Sequence, residues 1–505
     1  MKNLIDNALN QVTMYRLMLY YVAALLALAF GLGFFTLVPH DPTALAFSAV
    51  FVTAVCWVTN RLFAAFLRVP VNTESIYITA FILALIMPPV AASDTLGVEG
   101  LALASVVAIA SKFLLAINRK HIFNPVAIGV FSSAIVLDQP ATWWVGGNLV
   151  LLPAVLVVGL LVVRKVQRFE MIGAYFLAYL LTTSATTTSD MYSEALTQGI
   201  FYTPLLFAGF AMLTEPLTAP SAKLPSIAYG AIIGLLSTPN IHIGEFYLTP
   251  EIAFLTGNVF AYVVSPKGRF KFTLVRIEKM ASGCYDFAFN PDRKPVFEAG
   301  QYLDWTLDVR NSDDRGNRRP FTIASAPTDR EVHLGVKFYN GPSAFKCSLL
   351  NMRPGDAIYG SQIAGNFTLP KDKTEKLAFI AGGIGVTPFR SMMQDMINRQ
   401  DERSVVMLYG NNSVKEIAYS EVFDRAEREL GIRTVYAVVE DAMIDANMHR
   451  GLIDAALIRR EVPDYRDRTF YISGPRAMVV RFQDILKELG ITRSRIKVDF
   501  FPGFA

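Results

Sequence analysis

The chain has 505 residues, of which 52% are hydrophobic and 18% are charged. This is too apolar for an ordinary soluble enzyme. Residues 1–265 hold 23 of the 90 charged side chains, and the net charge is +4. We therefore expect a membrane half followed by a charge-rich soluble half. Neither half has the long basic run typical of nucleic-acid binders, so no nucleic-acid partner is expected.

The cysteines exclude several kinds of site. Cys56, Cys284 and Cys347 are too few and too scattered for a four-cysteine iron–sulfur cluster or a zinc site. A disulfide framework is equally disfavoured, and no metal site is predicted.

The first half contains about ten apolar stretches, which predict a polytopic α-helical membrane domain. Several are shorter than the ~20 residues of a simple span. The first is longer than a signal-peptide core, so we interpret it as a retained span. The stretches cover residues 17–38, 45–60, 75–90, 99–117, 123–138, 148–163, 170–183, 200–214, 226–238 and 250–264.

The loops between these stretches alternate in charge, which predicts a topology. One set carries Lys2, Arg16, Arg61, Arg68, Arg119, Lys120, Arg164, Lys165, Arg168, Lys223, Lys267 and Arg269. The other set carries Asp41, Asp94, Asp138, Asp190, Glu194 and Glu245, without Lys or Arg. By the positive-inside rule, both termini of this multi-pass protein face the cytoplasm, and residues 184–198 face the other side of the cytoplasmic membrane.

Proline interrupts several of the apolar stretches. MPP at 87–89 and FNP at 123–125 indicate either broken helices around an internal site or kinks with a packing role only. Segments 119–125 and 214–220 resemble each other, since each places a proline and a polar side chain at a membrane edge. This is a hint of internal duplication.

The runs HIFNPVAIG at 121–129 and LTEPLTAP at 213–220 carry a resemblance. Together with the expected ten-span layout, they resemble the D-type membrane component of Rnf electron-transport complexes and the B-type membrane component of sodium-translocating NADH:quinone oxidoreductases. That family carries FMN on a threonine of a Ser-Gly-Ala-Thr stretch, through a phosphoester bond on the outer side.

TSATTTSD at 183–190 lies in the matching place but lacks the glycine. The resemblance therefore implies covalent FMN at Thr186 or at Thr187. The alternative is a hydroxyl-rich helix end that hydrogen-bonds its own backbone.

The soluble half is predicted to divide near Pro370, which gives domains 1–265, 266–370 and 371–505. Short alternating segments at 270–276 and 332–338 predict a small antiparallel β-barrel. Beyond residue 370, strands are expected at 376–380, 404–409, 434–439 and 469–473, with a helix at 389–398, which is an α/β pattern.

Two motifs in this half point to dinucleotides. AGGIGVTP at 381–388 puts glycines between a strand and a helix, where backbone amides favour a pyrophosphate. RPFTIAS at 319–325 suits a flavin dinucleotide. In it Arg319 can neutralise the pyrophosphate, Phe321 can lie on the isoalloxazine face, and Thr322 can hydrogen-bond the ring edge.

These motifs resemble the ferredoxin–NADP reductase superfamily over nearly all of 267–505. The resemblance implies FAD and NAD(P)H as cofactors, with Thr322 and Ser473 as catalytic residues. Ser473 stands where that superfamily has cysteine, which leaves the geometry of hydride transfer in question, and Asn411-Asn412 lean toward NADH. The expected cofactor-binding residues are Arg319, Phe321, Thr322, Ser325, Gly341, Ser343, Gly382, Gly383, Gly385, Thr387, Pro388, Gly474 and Pro475.

The two halves together predict a membrane-bound flavoprotein. It would pass electrons from cytoplasmic NAD(P)H through FAD to a flavin in the membrane domain, toward a quinone or an extracytoplasmic acceptor. One alternative is a haem-type transmembrane oxidase or ferric reductase, which the sequence disfavours because none of the five histidines lies in mid-span. A redox-gated transporter is the other; no mid-span charged cluster marks an ion route for it.

Overall fold

The computed structural model describes residues 9, 12–67, 73–117, 120–220, 222–265, 269–307, 309, 317–339, 341–440 and 448–501. Of the loop cations used for the topology, Lys2, Arg68, Arg119 and Lys267 lie outside these residues. The chain forms two compact units, Met1–Gly268 and Arg269–Ala505.

The first unit is helical, with two short two-stranded ribbons. Its helices are α1 Met14–Gly33, α2 Pro42–Leu67, α3 Thr73–Ile86, α4 Thr95–Leu114, α5 Pro125–Leu137, α6 Leu152–Val166, α7 Phe169–Thr186, α8 Tyr192–Phe201, α9 Leu205–Phe207, α10 Lys223–Leu236 and α11 Pro250–Val264. The ribbons pair β1 Ala116–Ile117 with β2 Lys120–His121, and β3 His242–Ile243 with β4 Phe246–Tyr247.

Three of the described helices, α1, α2 and α4, are long and apolar enough to cross a bilayer. A fourth span results if α8 counts as one with the helical segment Leu205–Met212, which is α9 followed by the π-helix Ala208–Met212; the two are bent by 53° at the break between them. The prediction of about ten spans was therefore too high. It counted stretches that form the short apolar helices α3, α5, α10 and α11. A helix of 14 residues such as α3 rises about 21 Å, against a hydrocarbon core of about 30 Å.

The proline motif at 123–125 begins a helix rather than kinking one. Asn124 caps α5, and its side-chain oxygen accepts hydrogen bonds from the N–H groups of Val126 at 3.0 Å and Ala127 at 3.1 Å. Pro125 occupies the first helical turn, where its missing N–H costs nothing. The polar residue at this edge is thus the N-terminal cap of α5.

The second unit contains two six-stranded sheets. The first is antiparallel, in the order β8-β7-β10-β5-β6-β9. Its strands are β5 Phe270–Ala281, β6 Cys284–Pro291, β7 Tyr302–Thr306, β8 Arg318–Thr322, β9 Val332–Lys337 and β10 Ala357–Ala364. The sheet surrounds a core of aromatic side chains that includes Phe272, Phe289 and Trp305.

The expected small antiparallel β-barrel is not confirmed. Among the described residues β8 and β9 lie at opposite edges of the strand order and are not paired as strands. Beyond Thr322, where β8 ends, hydrogen bonds join the chain to β9, such as those from Ala324 N–H to the His333 carbonyl at 2.9 Å and from His333 N–H to Ser325 Oγ at 3.1 Å.

The second sheet is parallel, in the order β14-β13-β12-β11-β15-β16. Its strands are β11 Leu377–Gly382, β12 Val405–Asn411, β13 Arg433–Val438, β14 His449–Arg450, β15 Thr469–Pro475 and β16 Ile496–Phe501. The unit's helices are α12 Ala344–Leu350, α13 Thr387–Arg399, α14 Ser420–Leu430, α15 Ala455–Glu461 and α16 Arg476–Glu488.

The strand order places a switch point at the middle of this sheet. The chain goes from β11 outward to β12 and β13, and later returns to β15 on the other side of β11. Ligands of open α/β sheets bind at the carboxyl ends of strands beside such a point. Here the carboxyl ends of β11 and β15 carry Gly382 and Gly474.

Candidate functional site

A cavity of about 580 Å³ lies between the two sheets of the second unit. Its walls come from β8 and β9 of the antiparallel sheet and from the carboxyl-terminal edge of the parallel sheet. The predicted residues that line it are Arg319, Phe321, Thr322, Gly382, Gly383, Gly385, Thr387, Gly474 and Pro475. The two motifs that the sequence analysis separated by about sixty residues therefore face one space.

The flavin-type motif is held by packing against Phe345 of the helix α12 and by a hydrogen bond within its own strand. The Arg319 guanidinium is buried, donates to the Arg318 carbonyl at 2.7 Å, and lies 5.6 Å from the centre of the Phe345 ring. Phe321 has its ring centre 6.0 Å from that of Phe345. A cation and an aromatic ring thus stand on the cavity wall in fixed positions, as a flavin and its phosphates require.

Thr322 contributes a buried hydroxyl group to the cavity wall. Its Oγ1 is buried and has no hydrogen-bond partner within the described part of the chain. A buried hydroxyl without a partner is costly, since it loses its hydrogen bonds to water. A ligand with hydrogen-bonding edges, such as an isoalloxazine ring, would satisfy it.

The glycine turn brings two backbone segments into contact. A Cβ atom built on Gly385 would lie 2.5 Å from the Cα of Gly474 and 2.7 Å from the Ser473 carbonyl oxygen. Gly383 has a positive φ of +51°, which glycine adopts without strain. The turn runs through a 3₁₀ segment, Gly383–Val386, into α13. Its backbone is therefore open to a phosphate at the start of a helix of 13 residues.

Five other expected site residues do not line the cavity. Ser325 is fully buried and its side chain accepts from the His333 N–H at 3.1 Å. Ser343 caps α12 by accepting from the Lys346 N–H at 3.3 Å, two residues after Gly341 at φ +73°. Pro388 lies buried in the first turn of α13, where it fixes the helix start.

Ser473 is the fifth, and it lies directly behind the cavity wall. It is fully buried in β15, next to Gly474, and its Oγ has no partner in the described ranges. The structure therefore leaves both predicted catalytic hydroxyls, those of Thr322 and Ser473, unsatisfied. Their catalytic role stays a prediction.

Several lining residues were missed by the sequence analysis. Lys337 forms an ion pair of 2.7 Å with Glu416, and Lys346 donates to the Lys337 carbonyl at 2.9 Å. Arg481 of α16 also lines the cavity, as does Asn411, which the sequence analysis had linked to NADH. The lining thus includes four cationic side chains and one carboxylate, which suits ligands that carry phosphates.

The electrostatics at Lys337 favour its charged form. Burial alone would lower the pKa of Lys337, but the hydrogen bond and the charge of Glu416 outweigh it, with smaller contributions from Tyr339 and Cys284. The net pKa is raised, so Lys337 stays an ammonium at neutral pH. The alternating pattern at 332–338 predicted the strand β9. The ion pair between Lys337 and Glu416 forms only when the chain folds, so the sequence did not predict it.

In the first unit, the two candidate flavin threonines share a contact. Thr186 ends α7, and Thr187 follows it. The amide nitrogen of Asn240 donates to Thr186 Oγ1 at 3.2 Å and to Thr187 Oγ1 at 3.3 Å. The Thr186 hydroxyl also donates to the Thr182 carbonyl at 2.9 Å, as the backbone-bonding alternative requires. Both interpretations of this helix end therefore stay open.

The two similar proline segments of the first unit meet in a polar network. Asn124 Nδ2 donates to the Glu215 carboxylate at 2.7 Å, and the Asn124 N–H donates to Asn258 Oδ1 at 2.7 Å. His121 Nε2 lies 3.4 Å from Glu215 Oε1. The network borders a small cavity of about 50 Å³. The sequence analysis found the two segments but missed this charged cluster among the apolar helices.

Comparison with known proteins bears on the second unit. Residues 379–484 match the family described as the oxidoreductase NAD-binding domain. The match contains the glycine turn from Gly382 onward and the carboxyl end of β15, including Gly474. The nucleotide-binding interpretation of this sheet is thus confirmed at the level of the domain.

Similar proteins extend the match across most of the second unit. The chain is 24% identical to the flavohemoprotein of Bacillus subtilis over 238 residues, which is 46% of this chain and 58% of that protein. It is 30% identical to the F component of the Na⁺-translocating NADH-quinone reductase of Idiomarina loihiensis over 212 residues, which is 39% of this chain and 52% of that protein. The flavohaem-like FAD/NAD-binding domain of a Vibrio cholerae nitric oxide dioxygenase is 20% identical at a TM-score of 0.42, covering 46% of this chain and 98% of that one.

The chain thus spans between half and three-fifths of the length of these two curated relatives. The matches concern the C-terminal half, and the resemblance of the first unit to membrane electron-transport proteins stays a prediction. Residues 379–484 thus match an oxidoreductase NAD-binding domain, and the C-terminal half is similar in sequence to flavohemoproteins and to the F component of Na⁺-translocating NADH-quinone reductases.

Proposed function

We propose that the chain is a membrane-bound NAD(P)H-dependent oxidoreductase. It takes electrons from NADH, or less favourably NADPH, at FAD in the second unit. It passes them to FMN in the first unit, and from there to a quinone or an extracytoplasmic acceptor. The supporting observation is the single cavity that both the flavin-type motif and the glycine turn line.

The residues of that cavity fit the two cofactors. Arg319, Phe321 and Thr322 would hold FAD, and Gly382, Gly383 and Gly385 with the start of α13 would hold the pyrophosphate of the nicotinamide nucleotide. When bound, FAD accepts a hydride from the nicotinamide and can release electrons singly. The protein's part is to bring the two rings together and to keep water out.

The membrane part of the proposal rests on the first unit. Its long apolar helices, its loop charges and the resemblance of 121–129 and 213–220 to membrane electron-transport proteins support a multi-pass protein of the cytoplasmic membrane. With four spans, both termini would face the cytoplasm. Covalent FMN at Thr186 or Thr187 would supply the carrier, because a bilayer is too wide for direct transfer from the cytoplasmic FAD.

A redox-gated transporter is the second candidate. It is favoured by the buried polar groups among the apolar helices, where Lys112 Nζ donates to Thr79 Oγ1 at 2.8 Å and to the Ser75 carbonyl at 3.0 Å. Such groups in membrane helices mark functional pathways by default. Ferric reductase-type haem chemistry has no comparable observation in its favour.

One reconstitution distinguishes these functions. The full-length protein is inserted into liposomes, NADH is added outside, and a water-soluble ferric complex is enclosed inside. Because NADH is added only outside, it can be oxidised only by protein molecules whose second unit faces outward. We expect NADH-dependent reduction of the enclosed complex, or of quinone dissolved in the bilayer. NADH oxidation with neither acceptor reduced, but with passage of a solute, would favour the transporter instead.

A further inference from the structure

One residue behind the cavity wall has an unusual backbone. Tyr419, the residue before α14, has φ +60° and ψ +25°, in the left-handed region. This conformation is uncommon for residues other than glycine and is strained, so the surroundings must enforce it. The side chain is buried at 4% exposure.

The contacts of Tyr419 join the two sheets. Its hydroxyl donates to Asp286 Oδ1 at 2.7 Å, and Asp286 belongs to β6 of the antiparallel sheet, 133 residues earlier. The other carboxylate oxygen, Asp286 Oδ2, lies 2.6 Å from His333 Nδ1 on β9. The Arg390 guanidinium lies 5.5 Å from the centre of the Tyr419 ring and donates to the Ala324 carbonyl at 2.9 Å. Burial, with the nearby Asp286 carboxylate, raises the pKa of Tyr419, so the phenol remains a donor.

The hydroxyl lies immediately behind the cavity. A Cβ atom built on Gly335 would lie 2.5 Å from the Tyr419 hydroxyl and 2.8 Å from Thr387 Cγ2. Gly335 and Thr387 both line the cavity, one from the flavin side and one from the nucleotide side. The walls of the two cofactor sites therefore meet at this phenol.

We propose that Tyr419, bonded to Asp286, is a positioning residue that fixes how closely the nicotinamide side of the cavity approaches the flavin side. The reaction it would serve transfers a hydride, which is one proton with two electrons, from the reduced nicotinamide to the oxidised flavin, and the flavin would take a second proton from solvent. Hydride transfer needs near contact between donor and acceptor, and a displacement of about 1 Å can slow such a step about a hundredfold.

Tyr419→Phe tests the assignment, because it removes only the hydroxyl. Tyr436→Phe is the matched control, since the Tyr436 hydroxyl is 3.4 Å from Asp424 within the parallel-sheet half and does not line the cavity. Both full-length variants are purified with FAD, and flavin bleaching by NADH is followed by stopped flow. FAD content, melting temperature and the Kd for NADH are measured alongside.

We expect Tyr419→Phe to keep its FAD and its Kd for NADH within threefold, while hydride transfer slows at least tenfold and the control stays within twofold. Asp286→Asn, which offers a neutral acceptor, should slow transfer at least threefold but less than Tyr419→Phe. A rate constant for Tyr419→Phe within twofold of that of the wild type would overturn the assignment.

The inference depends on the proposed function in one respect, that FAD and NADH meet in this cavity. Failure of NADH to bleach the wild-type flavin would refute the proposed function and this assignment together. Normal bleaching of the wild type with unchanged Tyr419→Phe kinetics would refute the assignment alone.

Discussion

Gly385 and Gly474 lie against each other at the carboxyl edge of the parallel sheet. A Cβ atom on Gly385 would come within 2.5 Å of the Gly474 Cα and 2.7 Å of its nitrogen. Two turns that are 89 positions apart in sequence thus pack together and line the same cavity.

Gly385→Ala is expected to damage nucleotide binding while sparing the flavin. The new methyl group would push the two backbones apart, because no flexible side chain is present to yield at either atom. We expect the catalytic efficiency with NADH to fall at least tenfold, with FAD content unchanged. Gly173→Ala is the control, since nothing lies within 4 Å of a Cβ at that position. NADH kinetics equal to those of the control would contradict a role for the Gly385–Gly474 contact in nucleotide binding.

Arg319→Met is expected to weaken FAD binding. A hydrogen bond to a charged group contributes about 1.5–3 kcal/mol, so we expect the Kd for FAD to rise roughly tenfold to a hundredfold. Fluorescence of free FAD during dilution of the purified protein measures this. Arg353→Met serves as the control, because Arg353 is exposed and does not line the cavity. Equal retention of FAD by both variants would contradict a role for Arg319 in the flavin site.

The local motifs of this site were accessible to sequence reasoning. RPFT at 319–322 and AGGIGVTP at 381–388 depend on strand alternation, glycine torsions and helix starts, which are properties of neighbouring residues. The strand expected at 376–380 is Leu377–Gly382, and the helix expected at 389–398 is Thr387–Arg399.

The contacts between distant segments were not accessible. Tyr419 meets Asp286 across 133 positions, and Asn240 meets Thr186 across 54. No periodicity or local motif reports such a pairing, since it arises only when complete sheets and helices pack. The predicted number of spans was wrong for a related reason. Hydropathy alone does not distinguish a short helix inside a bundle from a helix that crosses the bilayer.

Cys284 and Cys347 are expected to react differently with alkylating reagents. Burial raises the pKa of the Cys284 thiol to about 11, although the nearby Lys337 charge partly opposes this. At pH 8 roughly one molecule in a thousand then carries the reactive thiolate. Cys347 is exposed. Mass spectrometry after iodoacetamide treatment at pH 8 should find the label on Cys347, with Cys284 labelled only as the pH approaches 11.

The sign of the linked stability follows from the same shift. The folded-state pKa of Cys284 exceeds the value of about 8.5 for an unfolded cysteine. Its contribution to stability is therefore complete below about pH 8.5 and is lost as the pH rises toward 11. Rapid labelling of Cys284 in the folded protein at pH 8 would contradict its burial.

The proposed topology predicts opposite accessibility for two cysteines. Ser193→Cys places a thiol on the exposed face of α8, in the segment expected outside the cytoplasm. Cys347 is a natural exposed thiol of the second unit. In intact cells an impermeant maleimide should label the introduced cysteine only, and Cys347 should require permeabilised cells. Equal labelling of both in intact cells would defeat the topology.

The most direct test of the central proposal is a reductive titration of the full-length protein with NADH, produced together with a flavin transferase. If electrons pass from FAD to a covalent flavin, two flavins per chain bleach, and four electrons are taken up. The variant carrying both Thr186→Ala and Thr187→Ala should bleach one flavin and take up two electrons, with FAD reduction unchanged. Bleaching of one flavin by the wild type, or of the same number by both proteins, would contradict electron transfer through a flavin on Thr186 or Thr187.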